Sequence, residues 1–166
     1  DDHDLYYAFW APDGANVTIT NYNYYYYGEY TIQWGENSDF LGGKGWQVGS
    51  TEPLQFSTNR LFTGNGSSLV LYGTSTDPAV EYFIAEDVGP LTAARLAAQP
   101  VAGTLTADGS LYNIYQTTSQ AGSTQYWNVR QTPRGGDTLT VATHFAAWED
   151  LGMPLGTLGA QLVAVK

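Results

Sequence analysis

Short β-type segments alternate with turn-forming residues along most of this chain, and this alternation constrains the fold more than any other feature. Apolar, aromatic and β-branched residues make up the segments, and Gly, Asn, Asp and Ser cluster between them. The segments span residues 17–20, 30–34, 54–57, 69–72, 80–85, 101–107, 111–117, 125–131 and 161–165. Asp108-Gly109 separates two of them and is a strong hairpin signal. Many short strands at this spacing predict an all-β antiparallel sandwich or jelly roll.

A segment with a different period begins near residue 138. Its apolar residues recur at helical spacing, and they are Val141, Phe145, Trp148 and Leu151. Gly152 follows, where a C-terminal cap belongs. We predict a single helix here, about residues 140–151, packed outside the β structure. His144 lies on it, and because no second ligand is near in sequence we expect it to bond a neighbouring loop rather than a metal.

The composition fits one globular domain spanning residues 1–166, with no linker, repeat or charge block. The chain is acidic, with a net charge of −10 and six Lys plus Arg, so nucleic acids and anionic membrane surfaces are poor partners. No apolar run approaches the roughly 18 residues that span a bilayer. The sequence opens on Asp-Asp-His-Asp without Met, as expected of a processed, secreted extracellular protein. Two histidines and scattered carboxylates give no ligand spacing, so we expect no metal or organic cofactor, and we expect a monomer.

A carboxylate lies in the middle of the segment 77–86. Side chains alternate along a strand, so Glu81, Phe83 and Ala85 share one face. A charge in mid-strand is costly unless its face is wet or the charge is paired. We therefore expect Glu81 to point into a groove, where a carboxylate beside aromatic rings suggests glycoside chemistry. That chemistry requires a second carboxyl group.

Several further blocks follow one another along the chain. They are residues 39–46 (Asp-Phe-Leu-Gly-Gly-Lys-Gly-Trp), 71–73, 78–86, 108–115, 125–130, 144–148, and 155–157 leading to 161–165. Together they resemble glycoside hydrolase family 11, the small endo-β-1,4-xylanases, from about Tyr6 to the last residue. Such blocks in the right order are far more specific than any one alone. The resemblance implies a jelly roll of two curved β-sheets, shaped like a partly closed hand, with one helix.

The resemblance also implies a reaction, cleavage of xylan with retention by two glutamates about 5–5.5 Å apart. Glu81 matches the nucleophile position. The acid/base glutamate belongs directly after 163–165, where this chain has Lys166. An ammonium with a reference pKa of about 10.4 is a poor acid at neutral pH and offers no base. Asp39 matches a position that hydrogen-bonds the acid/base, so we expect an Asp39–Lys166 ion pair, which Glu81 could share.

Other positions depart from the family pattern in the same region. The family's cleft tryptophan is replaced by Thr74, a tyrosine by Phe83, the arginine at the base of the thumb by Ser119, and subsite tyrosines by Ser68 and Ala160. The thumb hairpin shortens to about residues 120–123, and the last strand stops at Lys166. The substrate-binding residues that the resemblance implies are Trp10, Asp39, Tyr72, Phe83, Ser119, Gln125 and Trp127. Trp10 would stack on a sugar ring, or else Trp10, Tyr72 and Trp127 pack a filled cleft.

Four consecutive tyrosines interrupt residues 22–30, where the family has a glycine-rich turn. Alternation along a strand must expose some of them. Exposed tyrosine with Asn and Gly is typical of adaptable protein-binding surfaces, whereas half-buried strand residues with hydroxyls in water are the alternative. The candidate protein-binding residues are Tyr24, Tyr25, Tyr26 and Tyr27.

Three functions remain open on the sequence. The first is a catalytically inactive homologue that binds xylan, xylo-oligosaccharide or a protein, and it is favoured because many cleft positions change together. The second is an active retaining endo-β-1,4-xylanase with Glu81 as nucleophile, the end of the chain being truncated or Lys166 an artefact. The third is a decoy or elicitor that engages xylanase inhibitors or host receptors through residues 22–30.

Overall fold

The structure is a computed structural model that describes residues 5–21, 28–35, 39–59 and 66–166. The predicted protein-binding residues Tyr24, Tyr25, Tyr26 and Tyr27 lie outside the described residues. The strands are β1 (Tyr6–Trp10), β2 (Val17–Asn21), β3 (Tyr30–Trp34), β4 (Leu41–Trp46), β5 (Leu54–Ser57), β6 (Leu69–Thr76), β7 (Val80–Asp87), β8 (Gly103–Ala107), β9 (Ser110–Thr118), β10 (Thr124–Arg130), β11 (Gly136–Leu139) and β12 (Thr157–Val165). The helices are α1 (Pro90–Ala97) and α2 (Val141–Asp150).

One large curved sheet dominates the molecule. Its eight strands follow the order β1-β4-β12-β6-β7-β10-β9-β8, and the pairs are antiparallel except for β7 with β10. Two two-stranded sheets, β2–β3 and β5–β11, pack on one face of it. The predicted all-β, two-layer jelly roll is therefore confirmed.

The two faces of the large sheet bury different apolar sets because side chains alternate along each strand. On the inner face, Tyr82 and Ile84 of β7 pack with Leu71, with the β5–β11 layer and with α2. On the opposite face, Phe83 and Ala85 pack with Trp127 and other apolar side chains. As predicted, Glu81, Phe83 and Ala85 share one face of β7, and the residues between them lie on the other face.

Helix α2 confirms the predicted helix within about one residue at each end. Its buried residues are Val141, His144 and Trp148, and the Trp148 ring lies 5.8 Å from the Tyr82 ring. The prediction that His144 bonds a neighbouring loop is wrong. Its Nδ1 lies 2.8 Å from Nδ2 of Asn128 on β10, because the buried face of α2 carries the imidazole onto the sheet.

The prediction of a single helix is wrong, since α1 follows β7. Pro90 occupies the first turn, and the backbone N–H of Gly89 donates to Ser68 Oγ at 2.9 Å. Leu96 is 3% exposed and joins the apolar cluster that contains Phe83 and Trp127. Helix α1 thus covers part of the face that carries Glu81. Neither helix of the described part is long and apolar enough to cross a membrane.

A buried polar cluster ties α2 to the strands. Glu86 is 1% exposed, forms an ion pair with Arg134 and accepts a hydrogen bond from the Tyr112 hydroxyl at 2.7 Å. Arg134 also lies 3.5 Å from a carboxylate oxygen of Asp108. Asp108 in turn accepts hydrogen bonds from the backbone N–H and the hydroxyl of Thr140, at 3.0 and 2.8 Å. The cluster fixes the residue from which α2 starts.

Candidate functional site

Glu81 belongs to a row of side chains that crosses four strands. It is paired with Thr74 on β6 and with Gln125 on β10, and Gln125 is paired with Thr117 on β9. Directly paired residues share a face of the sheet, so these four side chains stand on the same side. All four are half-buried. Glu81, which we expected to point into a groove, therefore lies in a partly solvated row of side chains. This row is on the sheet face opposite the inner layer.

Two donors hold the Glu81 carboxylate. The Tyr72 hydroxyl donates to Oε1 and Gln125 Nε2 donates to Oε2, both at 3.1 Å. Thr117 Oγ1 donates to Gln125 Oε1 at 3.3 Å, which fixes the orientation of the amide. Burial, followed by the negative charge of Glu81, raises the pKa of Tyr72 well above its usual range, so this hydroxyl stays protonated.

Phe83 and Trp127 form the covered base of the site. Their rings stack with centroids 4.0 Å apart and planes 6° apart, and the residues are 2% and 0% exposed. The Tyr72 ring lies 5.2 Å from the Phe83 ring. Both residues lie on the Glu81 face, but their rings have no free surface in this structure. For Trp127 this arrangement corresponds to the second alternative of the sequence analysis, in which the ring packs a filled cleft.

Trp10 differs from these rings because it is 56% exposed. It ends β1, the outermost strand of the large sheet, and is paired with Leu41 on β4. Its exposed indole is available for stacking on a ligand. Of the aromatic residues predicted to bind substrate, Trp10 therefore presents the most open surface.

Lys166 pairs with Ser68 at the opposite end of β6 from the Glu81 row. Its N–H donates to Ser68 O at 3.0 Å, and the Ser68 N–H donates to Lys166 O at 2.7 Å. Ser68 and Thr74 are six positions apart, or about 20 Å of extended strand.

The expected ion pair between Asp39 and Lys166 is present. Lys166 Nζ lies 3.9 Å from Asp39 Oδ1, and the two side chains are 23% and 70% exposed. Among the described residues no ion pair joins Lys166 to Glu81, so the carboxylate does not share this contact. A pair this exposed contributes at most about 1 kcal/mol to stability. Its significance lies in placing the Lys166 ammonium beside the Asp39 carboxylate.

The hairpin between β9 and β10 is short and internally closed. The Ser119 N–H donates to Ser123 O and the Gly122 N–H donates to Ser119 O, each at 2.9 Å. The Ser123 N–H donates to Ser119 Oγ at 3.0 Å. Ser119, predicted to bind substrate, therefore uses its hydroxyl as an acceptor within the loop.

The sequence analysis missed Thr117, which orients Gln125. The register of the hairpin around residues 119–123 would have placed Thr117 directly opposite Gln125.

In the described ranges, no three His, Cys, Asp or Glu side chains come together as metal ligands. The described arrangement offers a positioned carboxylate at Glu81, an exposed indole at Trp10 and a lysine, not a carboxyl group, at position 166.

Comparisons with known proteins identify the family of the chain. The model of the Glycosyl hydrolases family 11 matches residues 2–166. Endo-1,4-beta-xylanase B of Phanerodontia chrysosporium is 41% identical over 173 residues, covering 99% of this chain and 58% of that protein. Ethylene-inducing xylanase 1 of Botryotinia fuckeliana is 42% identical over 173 residues, covering 97% and 58% respectively. The chain thus spans 58% of the length of each of these two relatives.

The fold has a close counterpart among solved structures. A structure from a comparison of two major endo-1,4-β-xylanases of Trichoderma reesei superposes with a TM-score of 0.85 at 35% identity. The superposition covers 97% of this chain and 90% of that chain. The likeness therefore extends over nearly the whole chain.

Proposed function

Because the chain belongs to glycoside hydrolase family 11, we propose that it is a secreted, catalytically inactive homologue of the endo-β-1,4-xylanases that binds xylan or xylo-oligosaccharide without hydrolysing it. One observation carries this proposal. Lys166 stands at the position that matches the family's acid/base glutamate, and its ammonium is paired with Asp39 at 3.9 Å.

The chemistry of retention explains why this pairing matters. The first step needs a proton donor at the leaving oxygen, and the second needs a base that removes a proton from water. The side chain at position 166 is a lysine beside the Asp39 carboxylate, and a lysine ammonium is a weak acid with no lone pair to act as a base. Glu81 could attack the sugar, but the leaving group would depart without protonation. Xylan therefore survives contact with this site.

Binding would use the residues that remain accessible. Trp10 would stack on a sugar ring, since it is the exposed aromatic at the edge of the face. Asp39, Tyr72 and Gln125 would supply hydrogen bonds to sugar hydroxyls. Phe83 and Trp127 would support this surface from below, because they are covered.

Calorimetric titration with xylohexaose tests the proposal. We expect saturable binding that weakens in Trp10→Ala, while the wild type releases no reducing ends from xylan above a buffer blank. Failure to bind xylohexaose would contradict the binding part of the proposal. Hydrolysis that disappears in Glu81→Gln would contradict the inactive part.

An active retaining endo-β-1,4-xylanase is the second candidate. It is favoured by the Glu81 carboxylate, which keeps a donor on each oxygen from Tyr72 and Gln125. The relatives named above are xylanases, which also favours it. The hydrolysis assay with Glu81→Gln separates the two candidates.

A protein partner is a further part of the proposal. Relatives named as ethylene-inducing xylanases favour recognition by a host receptor or a xylanase inhibitor. The candidate surface is Tyr24, Tyr25, Tyr26 and Tyr27. Pull-down with a xylanase inhibitor, with and without replacement of these four tyrosines by Ser, tests it. Equal capture by both forms would exclude this surface.

A further inference from the structure

We propose that Asn16 carries an N-linked glycan in the secreted protein. The inference goes beyond the proposed binding of xylan, and it rests on the proposed function only for secretion. It starts from the triplet Asn16-Val17-Thr18, whose middle residue is not proline. This triplet is the acceptor pattern for N-glycosylation in the secretory pathway. Because so short a pattern also arises by chance, the inference depends on the surroundings of the triplet.

A tight turn leads the chain from β1 to the triplet. The Ala15 N–H donates to Pro12 O at 3.1 Å, and Gly14 takes a φ of 80°, which glycine adopts without steric cost. Asn16 follows this turn, and β2 begins at the next residue. The Gly35 N–H donates to Asn16 O at 2.8 Å, which ties the backbone of Asn16 to the end of β3. The acceptor residue therefore lies at a junction between a turn and a strand, with its backbone held in place.

The first and third residues of the triplet point to solvent. Asn16 and Thr18 are exposed, whereas Val17 between them is half-buried. Ile19 points inward, since its Cδ1 lies 3.6 Å from the position that a Cβ on Gly42 of β4 would occupy. Because side chains alternate along a strand, Thr18 and Asn16 face away from the large sheet.

The Asn16 amide has room for a bulky group. A Cβ at Gly35 would lie 2.8 Å from Asn16 Nδ2, so a side chain at position 35 would cover the amide nitrogen. Glycine leaves the nitrogen accessible. A glycan is attached as the chain enters the secretory pathway, so the folded protein must hold the modified asparagine where the glycan fits. The exposed position of Asn16 meets this requirement.

The modification is a glycosyl transfer from a lipid-linked donor. Asn16 Nδ2 bonds to C1 of an oligosaccharide that is carried on a lipid diphosphate. The bond between C1 and the diphosphate oxygen breaks, and the lipid diphosphate leaves with the bonding electrons. The amide nitrogen gives up one proton to solvent. No oxidation or reduction takes place.

A second triplet of this type, Asn65-Gly66-Ser67, has different surroundings. Asn65 lies outside the described residues. Ser67 Oγ is buried and, in the part of the chain that the structure describes, has no hydrogen-bond partner. Gly66 and Ser67 lie against the start of α1, because a Cβ at Gly89 would be 2.3 Å from Gly66 O. The described residues of this triplet are therefore packed, and the glycan is assigned to Asn16.

A glycan on Asn16 would leave the Glu81 face free. The β2–β3 layer packs on the inner face of the large sheet, and Asn16 is on the outer side of that layer. The glycan would instead stand at the start of β2, whose one described partner is β3. An exposed edge strand can pair with other chains, and a bulky hydrophilic group beside it hinders that pairing.

Secretion of the full chain from yeast tests the assignment. Peptide-N-glycosidase F removes a glycan and converts the asparagine that carried it into aspartate, which mass spectrometry detects in the peptide containing residue 16. We expect this conversion in the wild type and its loss in Asn16→Gln. Thr18→Val keeps the asparagine and removes only the hydroxyl, so it should also lose the conversion. Asn65→Gln is the matched control and should keep it.

The occupancy of residue 16 decides the inference. An unmodified residue 16 in the secreted wild type overturns it, and this result holds even if a variant does not fold. Conversion that persists in Thr18→Val also overturns it, because the triplet would then not be the signal. The glycosylated protein and the protein digested with endoglycosidase H should bind xylohexaose with affinities that agree within about twofold.

The titration separates the glycan from the proposed function. Binding about tenfold weaker in the glycosylated form would contradict the position of the glycan away from the Glu81 face. Absence of xylohexaose binding in both forms would contradict the proposed function. The assignment of the glycan to Asn16 would still be decided by the mass of its peptide.

Discussion

Gln125 and Glu81 are directly paired across the parallel contact between β7 and β10, and the Gln125 amide donates to the Glu81 carboxylate at 3.1 Å. The amide is itself oriented by Thr117, and Tyr72 donates to the other carboxylate oxygen. The site thus holds the Glu81 carboxylate with a donor on each oxygen, and position 166 carries a lysine. We therefore expect different outcomes for reactions whose leaving group needs a proton donor and for reactions whose leaving group does not.

We predict that the wild type reacts with 2,4-dinitrophenyl xylobioside although it does not hydrolyse xylan. Dinitrophenolate leaves without protonation, so Glu81 can displace it and form a glycosyl ester. Added azide attacks that ester without a base, and the product is β-xylobiosyl azide. Chromatography of the product and release of dinitrophenolate measure the reaction.

Two variants serve as references for this reaction. Glu81→Gln should abolish both products. Gln125→Leu should slow dinitrophenolate release about tenfold or more, because a hydrogen bond to a charged group contributes about 1.5–3 kcal/mol. Equal rates in the wild type and Glu81→Gln would show that Glu81 is not a nucleophile.

Removal of Trp10 should weaken xylohexaose binding, whereas removal of Trp127 should destabilise the fold. Trp10→Ala, at a 56% exposed position, should weaken xylohexaose binding about tenfold and change the free energy of unfolding by less than about 0.5 kcal/mol. Trp127→Ala, at a fully buried position stacked on Phe83, should lower the free energy of unfolding by about 3–5 kcal/mol. Urea denaturation and calorimetric titration of both variants check this. Unchanged affinity in Trp10→Ala would remove the stacking role.

Arg134 should be required for stability. Arg134→Leu leaves the carboxylate of Glu86 buried with Tyr112 as its remaining side-chain donor, which we expect to cost about 3–5 kcal/mol in the free energy of unfolding. Arg95→Leu, on the exposed side of α1, is the matched control and should cost less than about 0.5 kcal/mol. Urea denaturation at neutral pH measures both. A cost near that of the control would show that the cluster is dispensable.

His144 should make stability depend on pH. Burial lowers its pKa from 6.5 to about 4, opposed by Asp108 and assisted by Arg134 and Arg130. The unfolded chain binds this proton at a higher pH than the folded one. The stabilisation is therefore complete above pH 6.5 and is lost as the pH falls towards about 4.

The size of this effect is about 3 kcal/mol, from about 1.4 kcal/mol per pKa unit. An NMR titration of the His144 ring should show no protonation down to about pH 5. Urea denaturation should show the free energy of unfolding falling through the same window. A ring midpoint near 6.5 would contradict the burial of a neutral imidazole.

The sequence was sufficient for nine of the twelve described strands, for α2 and for the face of Glu81, because alternation and helical spacing are local, whereas β1, β4 and β11 were not among the predicted segments. The resemblance to family 11 also predicted the contact between Asp39 and Lys166, which are far apart in sequence. Helix α1 was missed, although Pro90, an alanine-rich segment and Pro100 favour a helix there.

Burial on the candidate face could not be read from local patterns. Trp127 and Phe83 are covered in a cluster to which Leu96 contributes from α1, a helix that the sequence analysis did not contain. Substrate contact by Ser119 stays a prediction, and its hydroxyl accepts a bond from within its own loop. The partners in both places are set by three-dimensional packing rather than by side-chain periodicity.

The most direct test is release of reducing ends from arabinoxylan by the wild type and by Glu81→Gln, at equal concentration and neutral pH. Because Lys166 stands at the position that matches the acid/base glutamate, we predict that both proteins match the buffer blank. Steady release by the wild type that is absent from Glu81→Gln would contradict this account, because it would show that the proton is transferred without a glutamate at position 166.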